Sequence, residues 1–431
     1  MSKFKYYAPW DTLKKVMLGT YYDAEFFSTV KDDFIRSSLC RIADETNEDL
    51  QNFEKVLKDF GCDVVRPKLD TSDRIDRYIE DGNVNYINPF SRVRAVPRPP
   101  LQVRDSCLVV GEKLYITHGD HSAIFKCLDD YSAEDQVVLD FELDRLSDDE
   151  KEKLHRKYYS VRKTKSWPSY EKVWDTDISD LDPITQMEIE YFRKYSRQSM
   201  VHLLKAPCMT VLGKDMIVES SLFDIGKLQE HFIDLRFRLV NQGGHSDGCF
   251  APIKPGALMT VDDPKLYTNT FPNWDILHLP GHAKSSSFIQ SLYKTRSKVG
   301  GRWFIDGEIN DDLINFIDTY MGDLTGFTIE TLFDVNCLVL DRHTVVVSNL
   351  IPEAKWFFRK HKITPIVVPF RHRHFHDGGL HCVTLDLYRE GEMQDYFFGN
   401  PGIYNYHEGI TNPNFNFTKR GFTNGTEGLV R

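Results

Sequence analysis

One pattern, met four times, limits the folds open to this chain more than any other feature. It is a cysteine, an apolar run, a short polar turn and a second apolar run. The copies are Cys107-LVVGEKLYI, Cys208-MTVLGKDMIV, Cys249-FAPIKPGALMTV and Cys337-LVLDRHTVVVS. Val, Leu and Ile crowd around Gly-Glu-Lys, Gly-Lys-Asp, Lys-Pro-Gly and Asp-Arg-His turns, which predicts four β-hairpins. The opening WDTLKKVMLG, Trp10 to Gly19, and the late HCVTLDLYREG, from His381, look like partners of the same kind. Internal repetition at this scale points to a fold assembled from copies of one unit. In the four hairpins the shared cysteine reads as packing, because a free thiol behaves as a small hydrophobe.

A second element recurs between hairpins: a helix, a short break, then a strand closed by proline. Leu50, Phe53, Leu57 and Phe60 stand at helical spacing, Gly61 suits a helix stop, and Asp63-Val64-Val65-Arg66-Pro67 reads as the strand. The order returns at Trp274 to Pro280, and again at Glu353 to Lys362 followed by Ile366-Val367-Val368-Pro369. Hairpin, helix and strand make a ββαβ module, and about five modules fit the 431 residues. The expected class is α/β, as one catalytic domain over residues 1–395. Residues about 128–200, charge-rich and aromatic, are expected as a mostly helical insertion. Residues 396–431, rich in Asn, Gly and Tyr, are expected as an irregular C-terminal tail.

Composition narrows the setting. A hydrophobic fraction of 41% with 27% charged residues is ordinary for a soluble globular protein. No apolar stretch reaches the ~18 residues of a membrane span. The first residues, Met1-Ser2-Lys3-Phe4-Lys5-Tyr6-Tyr7, lack the apolar core and cleavage site of a secretory signal. Eight cysteines without paired spacing do not form a disulfide framework, so a reducing, cytoplasmic compartment is expected. The sequons at Asn416 and Asn424 would then carry no glycan. A formal net charge of −10 argues against broad electrostatic binding to nucleic acid.

Three places offer chemistry. Cys382 ends Gly378-Gly379-Leu380-His381-Cys382, where two glycines allow tight backbone approach at the head of a strand. His372, His374, His376 and His381 crowd that approach, and positive charge or N–H groups favour a thiolate. On these residues alone both readings stand, a buried structural cysteine and a nucleophile. His245, in Gly243-Gly244-His245-Ser246-Asp247-Gly248, stands two residues before a carboxylate. On a strand the two would share a face, placing an acid/base group beside an anion able to hold a guanidinium; a loop histidine is the other reading. Asp105, in Arg104-Asp105-Ser106, is either a turn residue or a third member of the site.

Taken together, WDTLKKVMLG, RDSCLVVGEKL, the LGKD hairpin, HSDGCFAPIKPG, DVNCLVLD and GGLHC resemble, in that order, the amidinotransferases. These form the glycine amidinotransferase-like branch of the guanidino-group-modifying superfamily. Gly-Gly-x-His-Cys together with His-x-Asp is the specific part. The resemblance implies a five-bladed α/β propeller of pseudo-symmetric ββαβ modules with the active site on its axis. It implies Cys382 as the nucleophile that forms a covalent amidino-enzyme intermediate, and His245 as the acid, then base, of the two half-reactions. Asp105 and Asp247 match the carboxylates that hold the guanidinium, and Gly379 and His381 line the same pocket. No metal and no organic cofactor is implied. The implied partners are a small guanidino donor such as arginine and an amine acceptor, with neither nucleic acid nor membrane, and family members are often homodimers.

The sequence also departs from the family. Where members carry an Asp or Glu that orients the histidine, this chain has Lys205-Ala206-Pro207-Cys208. Three readings follow: Glu219 or Asp306 takes over, Lys205 favours the thiolate with a different substrate, or catalysis is lost and a guanidino-binding propeller remains. An arginine expected to hold a substrate carboxylate is also absent, with Lys265 the nearest basic residue. Among enzymes the alternative is an arginine deiminase-like hydrolase, with water as acceptor. The run Arg371-His372-Arg373-His374-Phe375-His376-Asp377 would put three imidazoles on one face of a strand, as zinc requires, or would line the pocket; pocket lining is the reading carried forward.

Overall fold

The computed structural model describes residues 3–80, 82–84, 96–116, 124, 127–128, 136–138, 147, 149, 152, 156, 168–181, 189, 205–219, 225–240, 245–279, 310–321, 335–398, 404–405 and 410–411. The chain opens with β1 (Thr12–Leu18), helix α1 (Asp33–Phe60) and β2 (Asp63–Val65). A small hairpin, β3 (Ile79–Glu80) and β4 (Asn83–Val84), follows. Next come β5 (Cys107–Val110), β6 (Lys113–Ile116) and β7 (Gln136–Val138). A third set is β8 (Met209–Leu212), β9 (Asp215–Glu219), α2 (Ile225–His231) and β10 (Arg236–Val240). The one-turn helix α3 (Ser246–Cys249) introduces β11 (Phe250–Lys254), β12 (Ala257–Thr260) and β13 (Asp275–His278). After α4 (Asp311–Tyr320) stand β14 (Leu338–Asp341), β15 (Thr344–Val347), α5 (Pro352–Lys360) and β16 (Thr364–Val367). The one-turn helix α6 (Arg373–His376) leads to β17 (Thr384–Glu390), and β18 (Tyr404–Asn405) and β19 (Ile410–Thr411) come last.

Apart from the two-stranded β3-β4 hairpin, the described strands sort into five sheets with one rule: an antiparallel pair, then a parallel third strand. The orders are β5-β6-β7, β8-β9-β10, β11-β12-β13 and β14-β15-β16, with β18 and β19 added beyond β10. The fifth sheet, β17-β1-β2, takes its first strand from the far end of the chain, so β1 pairs antiparallel with β17 as the two matching segments predict. Each parallel third strand needs a crossover, which is why a longer connection precedes it. In the first and last modules that connection holds a regular helix, α1 or α5.

Helix α1 has the expected logic at both ends. Asp32 caps its start by accepting from the Ile35 N–H, and Gly61, at φ +97°, ends it in the left-handed region. Leu50, Phe53 and Leu57 are buried against the β17-β1-β2 sheet's core, which also takes in Leu13, Val16, Leu18 and Val383. A cavity of ≈ 50 Å³ lies among the sheets, and the first strand of each contributes to its lining, among them Leu108, Val211, Phe250, Val339 and Leu385. Most of 128–200 and of the tail lies outside the described residues.

Two local expectations are corrected. The histidine run is a helical turn and not a strand: it docks on α1, which dictates its course. Arg371 gives its backbone N–H and its Nε to Asp49, His372 Nε2 lies 2.5 Å from Glu45, and His376 Nε2 lies 2.8 Å from Thr46 Oγ1. Burial pushes all three imidazoles down, His374 to about 3, so each stays neutral near pH 7. Among the described residues no cluster of His, Cys, Asp or Glu is placed to hold a metal ion. The second correction concerns His245 and Asp247. A turn of helix starts at Ser246 with His245 as its extended N-cap, and the Gly248 N–H bonds the His245 carbonyl. Helical side chains step round by about 100° per residue, so the two point in different directions and not to one strand face.

Candidate active site

Every module begins with a short turn before its first strand, and these turns carry the polar residues. Val103–Asp105 forms a 3-10 turn before β5, Ala206–Cys208 one before β8, and α3 stands before β11. Asn336 precedes β14, and Gly378 to Cys382 precedes β17. Because the first strands share an orientation within their modules, residues far apart in sequence meet at one end of the framework.

Cys382 is 4% exposed. Its thiol donates to Asp247 Oδ2 at 3.2 Å and accepts from Asn336 Nδ2 at 3.0 Å. Asp247 Oδ2 is also 2.9 Å from His381 Nδ1, so one carboxylate oxygen serves both residues of the His-Cys pair. The other oxygen, Oδ1, is buried without a hydrogen-bond partner among the described residues. Across the site His245 Nδ1 and Asp105 Oδ1 stand 4.0 Å apart, an ion-pair separation and too long for a hydrogen bond.

The loop before Cys382 is held by its neighbours. Asn336 Oδ1 accepts from the backbone N–H groups of His381, at 2.9 Å, and Cys382, at 3.2 Å. Gln102 Nε2 donates to the carbonyls of His376 and Asp377. Arg104 Nε donates to the His381 carbonyl at 3.0 Å, its guanidinium pairs with Asp386 at 3.0 Å, and its N–H meets the Cys382 carbonyl. The turn that carries Asp105 is thereby stapled to the loop that ends at Cys382. Glycine at 379 is obligatory for packing, since a Cβ there would stand 2.6 Å from Asn336 Oδ1.

The electrostatics follow from this arrangement. Burial works to raise Asp247, but the His381 hydrogen bond and the nearby imidazoles outweigh it and hold the carboxyl well below the usual range. Burial and the Arg104 charge push His381 down, with Asp247 opposing. Burial raises the Cys382 thiol well above its ordinary value, and the Asp247 and Asp105 charges raise it further; the Asn336 hydrogen bond acts the other way. The site is thus an anionic pair of carboxylates around a protonated thiol, and it suits a cation.

All six sequence-predicted residues, Cys382, His245, Asp105, Asp247, Gly379 and His381, lie in these converging turns. His381 differs from the expected pocket-lining role in that its Nδ1 is engaged with Asp247. Glu219 lies on β9 with its side chain outside the described residues, and Asp306 lies outside them altogether. Lys205 caps the turn before β8 and is half-buried, and Lys265 is exposed on the turn after β12. Asn336, Arg104 and Gln102 were not picked out from sequence. A signal existed for the first: Asp-x-Cys at 105 and 247 and Asn-Cys at 336 put an acid or amide just ahead of three of the four hairpin cysteines, Cys208 being the exception.

No model of a known protein family matches the chain. Over 198 residues it is 25% identical to L-arginine:L-lysine amidinotransferase of Pseudomonas savastanoi pv. phaseolicola, covering 43% of this chain and 44% of that protein. Over 63 residues it is 38% identical to mitochondrial glycine amidinotransferase of Xenopus tropicalis, 15% of each chain. The chain therefore spans less than half the length of these curated relatives. Its fold matches SxtG, an amidinotransferase from Microseira wollei in the saxitoxin biosynthetic pathway, with a TM-score of 0.53 at 17% identity over 92% of this chain and 100% of the other. It matches inosamine-phosphate amidinotransferase StrB1 from Streptomyces griseus with a TM-score of 0.53 at 16% identity, over 92% and 99%. Local stretches of the sequence are thus similar to amidinotransferases, and the chain-wide fold is the one that two solved amidinotransferases share.

Proposed function

We propose that this chain moves an amidino group from a guanidino donor, arginine or a close relative, to an amine acceptor through a covalent amidino-cysteine at Cys382. The observation that carries the reading is the Cys382 thiol set against Asp247, with Asp105 and His245 across from it. A guanidinium between the two carboxylates satisfies the buried Asp247 Oδ1 and removes the negative field that keeps the thiol protonated. The donor therefore helps to generate its own nucleophile.

In the first half-reaction the Cys382 sulfur bonds the guanidinium carbon, and the carbon–nitrogen bond to the departing amine breaks. The thiol proton passes to His245 and from there to that amine, leaving a cationic amidino-thioether and a neutral amine. In the second, His245 takes a proton from the acceptor amine as its nitrogen bonds the amidino carbon, and the sulfur leaves and regains that proton. The Asp105 charge, 4.0 Å from His245 Nδ1, favours the imidazolium that forms in each half-reaction, where the Lys205–Cys208 turn offers no acid. The five three-stranded units, each lining the same cavity with its first strand, support a five-bladed α/β propeller with these turns at one end of its axis.

Intact mass spectrometry after incubation with arginine tests the reading. A single amidino adduct that disappears in Cys382→Ala supports it, and a panel of guanidino donors giving no adduct overturns it. Labelled arginine with candidate amines then separates transfer, which yields ornithine and a new guanidine, from deimination, which yields citrulline.

A further inference from the structure

Asn336 stands on the turn before β14, fully buried, and spends all four hydrogen-bonding positions of its amide at the site. Oδ1 accepts from the His381 and Cys382 N–H groups. Nδ2 donates to the Asp247 carbonyl at 3.1 Å and to the Cys382 sulfur at 3.0 Å. The orientation of this amide is fixed by its partners. Turned round, its NH2 would face two N–H donors and its oxygen would face a carbonyl.

We propose that Asn336 is a catalytic residue of this site: its oxygen sets where the Cys382 sulfur stands, and its amide N–H carries the negative charge of the thiolate. The inference rests on the reading of Cys382 as the nucleophile. Its argument is one of hydrogen-bond economy. A thiol is a weak acceptor, so a buried amide N–H aimed at it is poorly used if the sulfur stays neutral. The same N–H aimed at a thiolate makes a charge-assisted bond about twice as strong. The contact therefore favours the reactive form over the resting form, which is the condition for lowering a barrier and not merely holding a fold. No other side-chain donor reaches Cys382 Sγ among the described residues. Gly379 belongs to the same device, since any Cβ there would displace Asn336.

Asn336→Asp is the near-isosteric test. The carboxylate keeps the grip on both N–H groups but turns an anion toward the sulfur. With folding checked by circular dichroism, the rate of Cys382 carboxamidomethylation by iodoacetamide is followed at pH 8 by peptide mass spectrometry, without donor. A rate at least about tenfold below that of the native chain is expected, corresponding to one unit or more in the thiol. Asn336→Ala, which removes the donor without adding charge, is expected to slow the same reaction less than Asn336→Asp does and serves where the latter fails to fold. In turnover, kcat falls in both while KM for the donor moves less than about twofold, because Asn336 faces the sulfur and not the cation. A variant alkylated as fast as the native chain, or a native Cys382 that is not alkylated, overturns the proposal. The alkylation comparison stands even where no donor forms an adduct, so failure of the transferase reading and failure of this one are told apart.

Discussion

His381 Nδ1 lies 2.9 Å from Asp247 Oδ2, and the same oxygen is 3.2 Å from the Cys382 sulfur, so one carboxylate restrains both residues of the His-Cys pair. Asp247 has two opposed effects. It raises the Cys382 thiol, and on the proposed function it would also hold the cation whose arrival lets the thiol ionise. Asp247→Asn separates them. Cys382 alkylation by iodoacetamide should speed up, because an adjacent anion has been removed. Turnover should fall by about 10²-fold or more, because the guanidinium carbon loses its positioning. Slower alkylation in the variant would contradict the electrostatic account.

The pH dependence follows with its sign. Burial and the two carboxylates place the free Cys382 thiol well above its ordinary value, so the reactive thiolate is scarce at neutral pH. Second-order turnover, kcat/KM, should then climb with pH from about 7 to 9, approaching tenfold per unit. In the donor complex the guanidinium offsets Asp247 and Asp105, so the limb in kcat should lie at lower pH than the limb in kcat/KM. Profiles of the two parameters that superimpose would sink the donor-assisted ionisation.

Arg104 offers a stability test next to the site. Its guanidinium pairs with buried Asp386 while its Nε holds the His381 carbonyl. Arg104→Met leaves those acceptors short of a donor and should cost about 3 kcal/mol, read by urea melts at pH 7. Burial tends to raise Asp386, but Arg389 and Arg104 overcome it and hold the carboxyl below its unfolded value. A depressed carboxyl contributes stability above its unfolded pKa of about 4 and loses it as pH falls further. The native chain should therefore lose stability more steeply than Arg104→Met below about pH 4.

The framework was legible because β-hairpins are local. Alternating apolar runs and turn residues near Gly111, Gly213 and Gly256 need no distant partner to be read, and β1 pairing with β17 followed from the shared look of two segments. The histidine run misled because alternation alone cannot distinguish a strand from a turn anchored elsewhere, and its anchors, Glu45, Thr46 and Asp49, sit more than 300 residues upstream on α1. His245 and Asp247 were placed on a strand for the same reason: a single turn of helix has too few residues to show its period. Arg104 was invisible as a site residue because its partners, the His381 carbonyl and the Asp386 carboxylate, lie more than 270 residues away and are brought near only by the pairing of modules.

Gly379 brings the local and the distant together. Its Cα stands so close to Asn336 that an added Cβ would meet the amide at 2.6 to 2.8 Å, and Asn336 is fully buried with no room to retreat. Gly379→Ala must therefore move either the amide or the loop, and the overpacking should cost about 1–3 kcal/mol, seen as a lower melting temperature. The chemical consequence should exceed the structural one. A displaced Asn336 releases the His381 and Cys382 N–H groups and withdraws its own N–H from the sulfur, so turnover should drop by about 10²-fold in a chain that still folds. Gly391→Ala provides the comparison: a Cβ there would collide with Asp11 at the opposite end of β17, so it should destabilise to a similar degree with a much smaller loss of kcat. Equal losses of kcat in the two variants would show that Gly379 acts through stability alone.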